Sequence, residues 1–257
     1  MKKILLSVAA VMPLAFSVHA VTNMCVEQKD GTIVRYDVEN VKQVYYEEAG
    51  VTVSGKIGDY TYVDLGLRSG LKWATFNVGA TKPEEYGDYL AWGEKEPKER
   101  YDFSTYILCG GDYDKMNKYC TKSKYGTVDN RTVLMSEDDA ATLNWGVDWR
   151  MPTDKELNEL IEGCTWVWVE DYEGTGVSGG YGTSKKNGNT IFLPAAGWII
   201  ESYPYSDYEG KECLYWSSSL YNDYQDHAHI FVMLSNGYMK VEQTPRNRGL
   251  SVRAVAK

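Results

Sequence analysis

The chain has 257 residues, with 27 Lys and Arg against 36 Asp and Glu, a formal charge of -9, and 43% hydrophobic against 25% charged residues. That composition is globular and excludes a disordered or collagen-like chain, and the acidic balance excludes a nucleic-acid binder, whose phosphate partner demands a basic footprint. Only tyrosine, at 21 residues, is far from ordinary usage, and tyrosine-rich surfaces suit ligand recognition.

In chain order, the first element is a targeting signal over 1–20. Lys2 and Lys3 precede an apolar stretch from Ile4 to Val18, and Val18-His19-Ala20 fits a small-residue cleavage site. The stretch is too short to remain as a membrane span, so the protein is expected to be exported, to the cell surface, the periplasm or the medium, and not to be an integral membrane protein. Thr22-Asn23-Met24 before Cys25 lacks the pattern of a lipid-anchoring site. A small module over 21–50 follows: a strand, a Lys29-Asp30-Gly31 turn, a second strand from Thr32 to Tyr36, then a helical turn into Val44-Tyr45-Tyr46. An Asp-Gly between two apolar runs signals a hairpin. A piece of this size cannot hold a core alone.

The main domain is expected over 55–257. Ser136-Glu137-Asp138-Asp139 predicts a helix start with Ser136 as cap, and Thr153-Asp154-Lys155-Glu156 predicts a second, with a capping box and apolar Leu157, Leu160 and Ile161 at helical spacing up to Gly163. Strands are predicted at Thr165–Val169, Thr190–Leu193, Ala228–Leu234, Tyr238–Val241 and Ser251–Val255, with turns at Asn187-Gly188 and Asn236-Gly237. Helices early and an antiparallel sheet late, without βαβ alternation, define an α+β class.

Two glycine-rich matches fail on context. Gly176-Val177-Ser178-Gly179-Gly180 has the letters of a nucleophile elbow, and Gly174 to Gly179 those of a dinucleotide loop, but no helix follows either, and the stretch through Ser184 is read as loop. All five cysteines (25, 109, 120, 164, 213) lie beyond the signal. Cys109 and Cys120 are the best local pair for a disulfide, with buried free thiols the open alternative. His227 and His229 alternate on a predicted strand and, with Asp223, present an incomplete metal set. The strongest constellation is aromatic. Tyr203, Tyr205, Tyr208, Tyr215, Trp216, Tyr221 and Tyr224 are interleaved with Asp207, Asn222, Asp223, Gln225 and Asp226. Tyr215 and Trp216 sit in an apolar run and are expected in the core. Tyr205, Tyr208, Tyr221 and Tyr224 sit among polar residues and are expected on exposed loops, where rings stack on sugars or fill protein pockets.

The runs Tyr62-Val63-Asp64-Leu65-Gly66-Leu67, Leu71 to Ala80, Glu85-Tyr86-Gly87-Asp88-Tyr89, Trp149-Arg150-Met151-Pro152-Thr153, Phe192 to Gly197, Tyr215-Trp216-Ser217-Ser218-Ser219 and Gly249-Leu250-Ser251-Val252-Arg253 together resemble the Fibrobacter succinogenes major paralogous domain over about 57–257. Phe76 departs from the pattern, since many members carry cysteine there. The resemblance implies a C-type-lectin-like domain with two principal helices and a twisted, mainly antiparallel sheet, the superfold shared with formylglycine-generating enzymes. The calcium-lectin signatures are not met at Glu96-Pro97-Lys98 or Tyr221-Asn222-Asp223, and the paired cysteines of formylglycine-generating enzymes are not recognisable. A superfold does not fix function.

The resulting expectation is a binding module for a glycan or a protein, without catalysis or cofactor. In it Tyr205, Tyr221 and Tyr224 would stack, Asp207, Asn222 and Asp223 would hydrogen-bond, Arg246 would pair an acidic group, and Tyr208, Asp226 and Asn236 would belong to the same ligand surface. The alternatives are an enzyme with a metal on His227 and His229, and a structural subunit of a surface assembly that self-associates through the 21–50 module.

Overall fold

The computed structural model describes residues 23–27, 31–40, 50–202 and 208–257. The targeting signal, Lys29 and Asp30, Val44 to Tyr46, and Tyr203, Tyr205 and Asp207 lie outside the described residues. The chain divides into two units, Met1–Ala49 and Gly50–Lys257. In the first, β1 (Asn23–Glu27) and β2 (Ile33–Asp37) form the expected antiparallel hairpin, Cys25 opposite Arg35. A single 3-10 turn follows at Val38–Asn40.

The second unit begins before residue 55. Thr52 N–H donates to Thr190 O at 3.1 Å, and Val51 N–H to Tyr172 Oη at 3.1 Å. Then come β3 (Gly55–Ile57), β4 (Tyr60–Asp64), β5 (Lys72–Ala74), β6 (Arg100–Tyr101), α1 (Ala140–Trp145), β7 (Trp149–Arg150), α2 (Asp154–Gly163), β8 (Cys164–Val169), β9 (Gly179–Ser184), β10 (Thr190–Pro194), β11 (Glu201–Ser202), β12 (Glu212–Leu220), β13 (His227–Leu234), β14 (Met239–Pro245) and β15 (Val255–Ala256). The sheets are antiparallel: β3-β4-β5-β15-β7, β10-β9-β8, β12-β13-β14 and the small pair β11-β6. The class is α+β, but strands open the unit, so the expected order of helices first and sheet last is corrected. Three of the early strands are only three to five residues long, too short for periodicity to declare them.

The second helix starts as read. Thr153 Oγ1 accepts from Glu156 N–H, and Glu156 Oε2 accepts from Thr153 N–H at 2.7 Å. The first starts later than Ser136. Asp139 is its cap, accepting from Thr142 N–H at 3.0 Å, and the same carboxylate also accepts from Met151 N–H at 2.9 Å. A carboxylate with two such partners outcompetes a serine hydroxyl three residues upstream.

The stretch Gly179–Ser184 is not a loop but β9, the central strand of its sheet. Glycines are required there by close approach. A Cβ on Gly182 would sit 2.9 Å from the Trp166 ring, and one on Gly180 would sit 2.6 Å from Met233 Sδ. Glycine in a strand can mark such a site. Ser178 is buried, its Oγ donating to Gly210 O at 2.7 Å.

Sheet β12-β13-β14 divides the core. Trp216 and Ile230 face one apolar cluster with Trp92, Trp149 and Leu250; Tyr215 and Phe231 face another with Leu157, Leu160 and Trp73. Both faces of β12 are therefore covered, as the apolar run Cys213-Leu214-Tyr215-Trp216 requires. Buried side chains cross-link distant segments here. Trp92 Nε1 donates to Ser217 O at 2.8 Å, Trp216 Nε1 to Leu90 O at 2.7 Å, and buried Arg253 donates to Asn77 Oδ1, Ala74 O and Phe192 O. Burial brings Arg253 down to about 10 from its ordinary pKa. The five cysteines are free thiols, only Cys25 exposed. Cys109 Sγ donates to Phe103 O and Cys120 Sγ to Lys122 O, so each is satisfied without the other. Among the described residues, no helix is long and apolar enough to cross a membrane.

Candidate functional site

The β12–β13 connection, residues 221–226, carries most of the expected binding residues. Tyr221 N–H donates to His227 O and His227 N–H to Tyr224 O, closing the loop on itself. Gln225 is fully buried and anchors it. Its Oε1 accepts from Thr121 N–H at 2.6 Å and from Thr121 Oγ1 at 3.0 Å, while Nε2 donates to Asn222 O at 2.8 Å. Lys122 Nζ adds a bond to Asp223 O. The loop is thus held from below by a segment about a hundred residues away in sequence, which leaves Asn222, Asp223 and Tyr224 exposed.

The two tyrosine rings lie nearly parallel, 25° apart with centroids separated by 6.1 Å. Each is backed by a histidine of β13: His229 meets Tyr221 edge-on at 5.3 Å, and His227 lies tilted against Tyr224 at 5.7 Å. Tyr224 keeps 53% of its surface exposed, whereas Tyr221 is half-buried. The histidines alternate onto one face, as read from the sequence. Their Nδ1 atoms and Asp226 Oδ1 are buried without a hydrogen bond, although His227 Nδ1 comes within 3.1 Å of that oxygen. Among the described residues, no three His, Cys, Asp or Glu side chains are grouped to hold a metal ion. Asp226 points inward and is not a free hydrogen-bonding group on the rim.

Other expected residues fall elsewhere. Arg246 is fully buried and cannot pair a ligand from solvent. It stacks over Trp92 and Tyr106, donates to Lys118 O and Tyr119 O, and contacts Met116 Sδ. It therefore fixes the segment whose continuation, Thr121 and Lys122, grips the loop. Asn236 lies at the opposite end of β13, in the β13–β14 turn, where Oδ1 accepts from Tyr238 N–H at 2.9 Å and Gly237 takes a positive φ of 87°. Strand rise of about 3.3 Å per residue puts the length of the eight-residue β13, His227–Leu234, between it and Tyr224. Tyr208 is exposed and meets Trp198 edge-on at 5.3 Å.

Two features had no signal in the sequence. An open depression of about 560 Å³ beside Asn236 is lined by Trp166, Trp168, Lys185, Met233 and Met239. Arg248 stacks over Trp198 at 4.1 Å. Compared with protein-family models, with curated protein sequences and with solved structures, the chain shows no match.

Proposed function

We propose that the protein is an exported recognition module of C-type-lectin-like type that binds a glycan through the 221–226 loop. What carries the reading is the tyrosine pair: two nearly parallel rings, one of them largely exposed, set beside the exposed Asn222 and Asp223 and braced from below by Gln225. Sugar rings present one apolar C–H face and a rim of hydroxyls. Aromatic faces take the former, and amide and carboxylate groups at the edge take the latter. The anchoring is what a recognition loop needs, because a loop already ordered loses less entropy on binding.

The C-type-lectin-like assignment rests on the resemblance over 57–257 and is compatible with the antiparallel sheets. Trp216, Asn77 and Arg253, in the segments that carry that resemblance, serve the core, which leaves the loops to face a ligand. Export rests on the N-terminal targeting pattern.

The test is a glycan array probed with the wild-type chain and with the Tyr221→Ala/Tyr224→Ala double variant. The reading expects a restricted set of glycans bound by the wild type and lost by the variant, with thermal melting unchanged within a few degrees. Equal binding by both chains contradicts it.

A further inference from the structure

A second site stands out on the strand-end segment after β14. Arg248 is partly buried, its guanidinium carbon over the Trp198 ring at 4.1 Å from the centroid and its Nη1 donating to Thr244 Oγ1 at 2.8 Å. Among the described residues it forms no ion pair. Arg150 makes a bidentate bond to Glu156, and the fully buried Arg246 and Arg253 spend donors on oxygens inside the core. Among the described residues the Arg248 guanidinium spends one donor, on Thr244, and desolvation lowers its pKa, with Tyr208 the nearby group acting in the opposite direction. The backbone holds this arrangement rigidly, since Ile199 and Gly249 exchange both N–H···O bonds, at 2.8 and 3.0 Å, next to Trp198 and Arg248. Trp198 Nε1 is itself buried with no acceptor. Tyr208 stands perpendicular to Trp198 with its ring exposed.

A partly buried cation that no described carboxylate pairs is costly unless an anion completes it. The planar guanidinium fork, already immobilised by stacking, matches a carboxylate in two-point geometry. The exposed Tyr208 ring beside it offers an apolar face to whatever carries that carboxylate. We propose that Arg248, Trp198 and Tyr208 form a subsite for the carboxylate of an acidic sugar. The anion clamp stands on its own geometry; only the choice of a sugar as carrier rests on the glycan reading above.

The experiment is a solution NMR titration of the full chain. It follows the Trp198 indole N–H and the Arg248 Nε–H, assigned with Trp198→Phe and Arg248→Lys, against glucuronate, acetate, glucose and inorganic sulfate. Saturable shifts at both groups are expected, with glucuronate binding at least several-fold more tightly than acetate or sulfate, and glucose giving none. Arg248→Lys and Arg248→Gln should weaken glucuronate about tenfold or more, the equivalent of one charged two-point hydrogen bond, with melting temperatures showing both variants folded. Equal binding of acetate and glucuronate overturns the sugar carrier, sulfate binding as tightly as glucuronate overturns the carboxylate, and no saturable shift with any anion overturns the subsite. None of these outcomes depends on Tyr221 or Tyr224, so failure of the loop reading shows separately, on the array.

Discussion

Gly182→Ala isolates the packing of one strand against one ring. Gly182 pairs with Trp166 across β8 and β9, and an added Cβ would lie 2.9 to 3.0 Å from three ring carbons of that indole. The ring cannot yield easily, because its other neighbours include Phe231 at 5.8 Å in the second core cluster. The backbone at 182 is outside the left-handed region, so alanine meets no conformational penalty and instead gains about 0.5–1 kcal/mol from reduced unfolded-state freedom. Overpacking of a close-packed site costs about 1–3 kcal/mol. The net expectation is a loss of about 1–2 kcal/mol, read as a lowered urea midpoint by far-UV circular dichroism, or as a melting temperature lower by about 2–8 °C. In a Trp166→Leu background the same substitution should become neutral or stabilising, since the ring it strikes is gone. A Gly182→Ala chain as stable as wild type, or an equal loss in both backgrounds, refutes the reasoning.

Three further outcomes follow from the same geometry. Burial alone would raise the Glu156 carboxyl, but the bidentate Arg150 bond and Thr153 N–H hold it below the usual carboxylate range. Its stabilisation is therefore present above the unfolded pKa of about 4.3 and lost as pH falls through the lower folded value, so Glu156→Gln should cost about 1–2 kcal/mol near neutral pH and flatten the acid limb of a stability–pH curve. An unchanged acid limb contradicts this. Thiol titration without reductant should show Cys25 reacting at once and Cys213 and Cys164, pushed up by burial to about 12 and about 11, reacting only on unfolding with the buried Cys109 and Cys120; fewer than five thiols in denaturant would contradict the free Cys109 and Cys120. Gln225→Ala should leave Thr121 N–H without its acceptor, cost about 1–3 kcal/mol and weaken glycan binding although Gln225 itself never meets solvent; undiminished affinity would show that the anchor is irrelevant to recognition.

The elements declared by local chemistry were the ones legible in the chain. The Thr153–Glu156 box, the β13 alternation and the Asn236-Gly237 turn are set by residues a few positions apart. Burial of Tyr215 and Trp216 was legible for the same reason, from the apolar run around them. What could not be read depended on distant partners. Gly182 looks like loop until Trp166 lies across it, and Asp139 displaces Ser136 as cap because Met151 N–H also needs its carboxylate. Arg246 and Arg248 stand two residues apart in one polar stretch, yet the first is walled in by Trp92 and Tyr106 while the second rests on Trp198 and is only partly buried. Nothing in their neighbours in sequence separates those fates. Tyr221 and Tyr224 were legible as a pair on a polar loop, but the histidines that brace them and the glutamine that anchors them become visible only once Thr121 and β13 are in place.

The expected site residues also separate in space, and that separation gives the sharpest test. Tyr224 lies at one end of β13 and Asn236 at the other. Isothermal titration of the full chain with the best array glycan should therefore be made on Tyr224→Ala and Asn236→Ala side by side. Loss of an exposed stacking ring worth about 0.5–1.5 kcal/mol should weaken binding about three- to tenfold in Tyr224→Ala, while Asn236→Ala binds as wild type. Full affinity in Tyr224→Ala, with the loss falling on Asn236→Ala, would contradict the account and move recognition to the opposite end of the sheet.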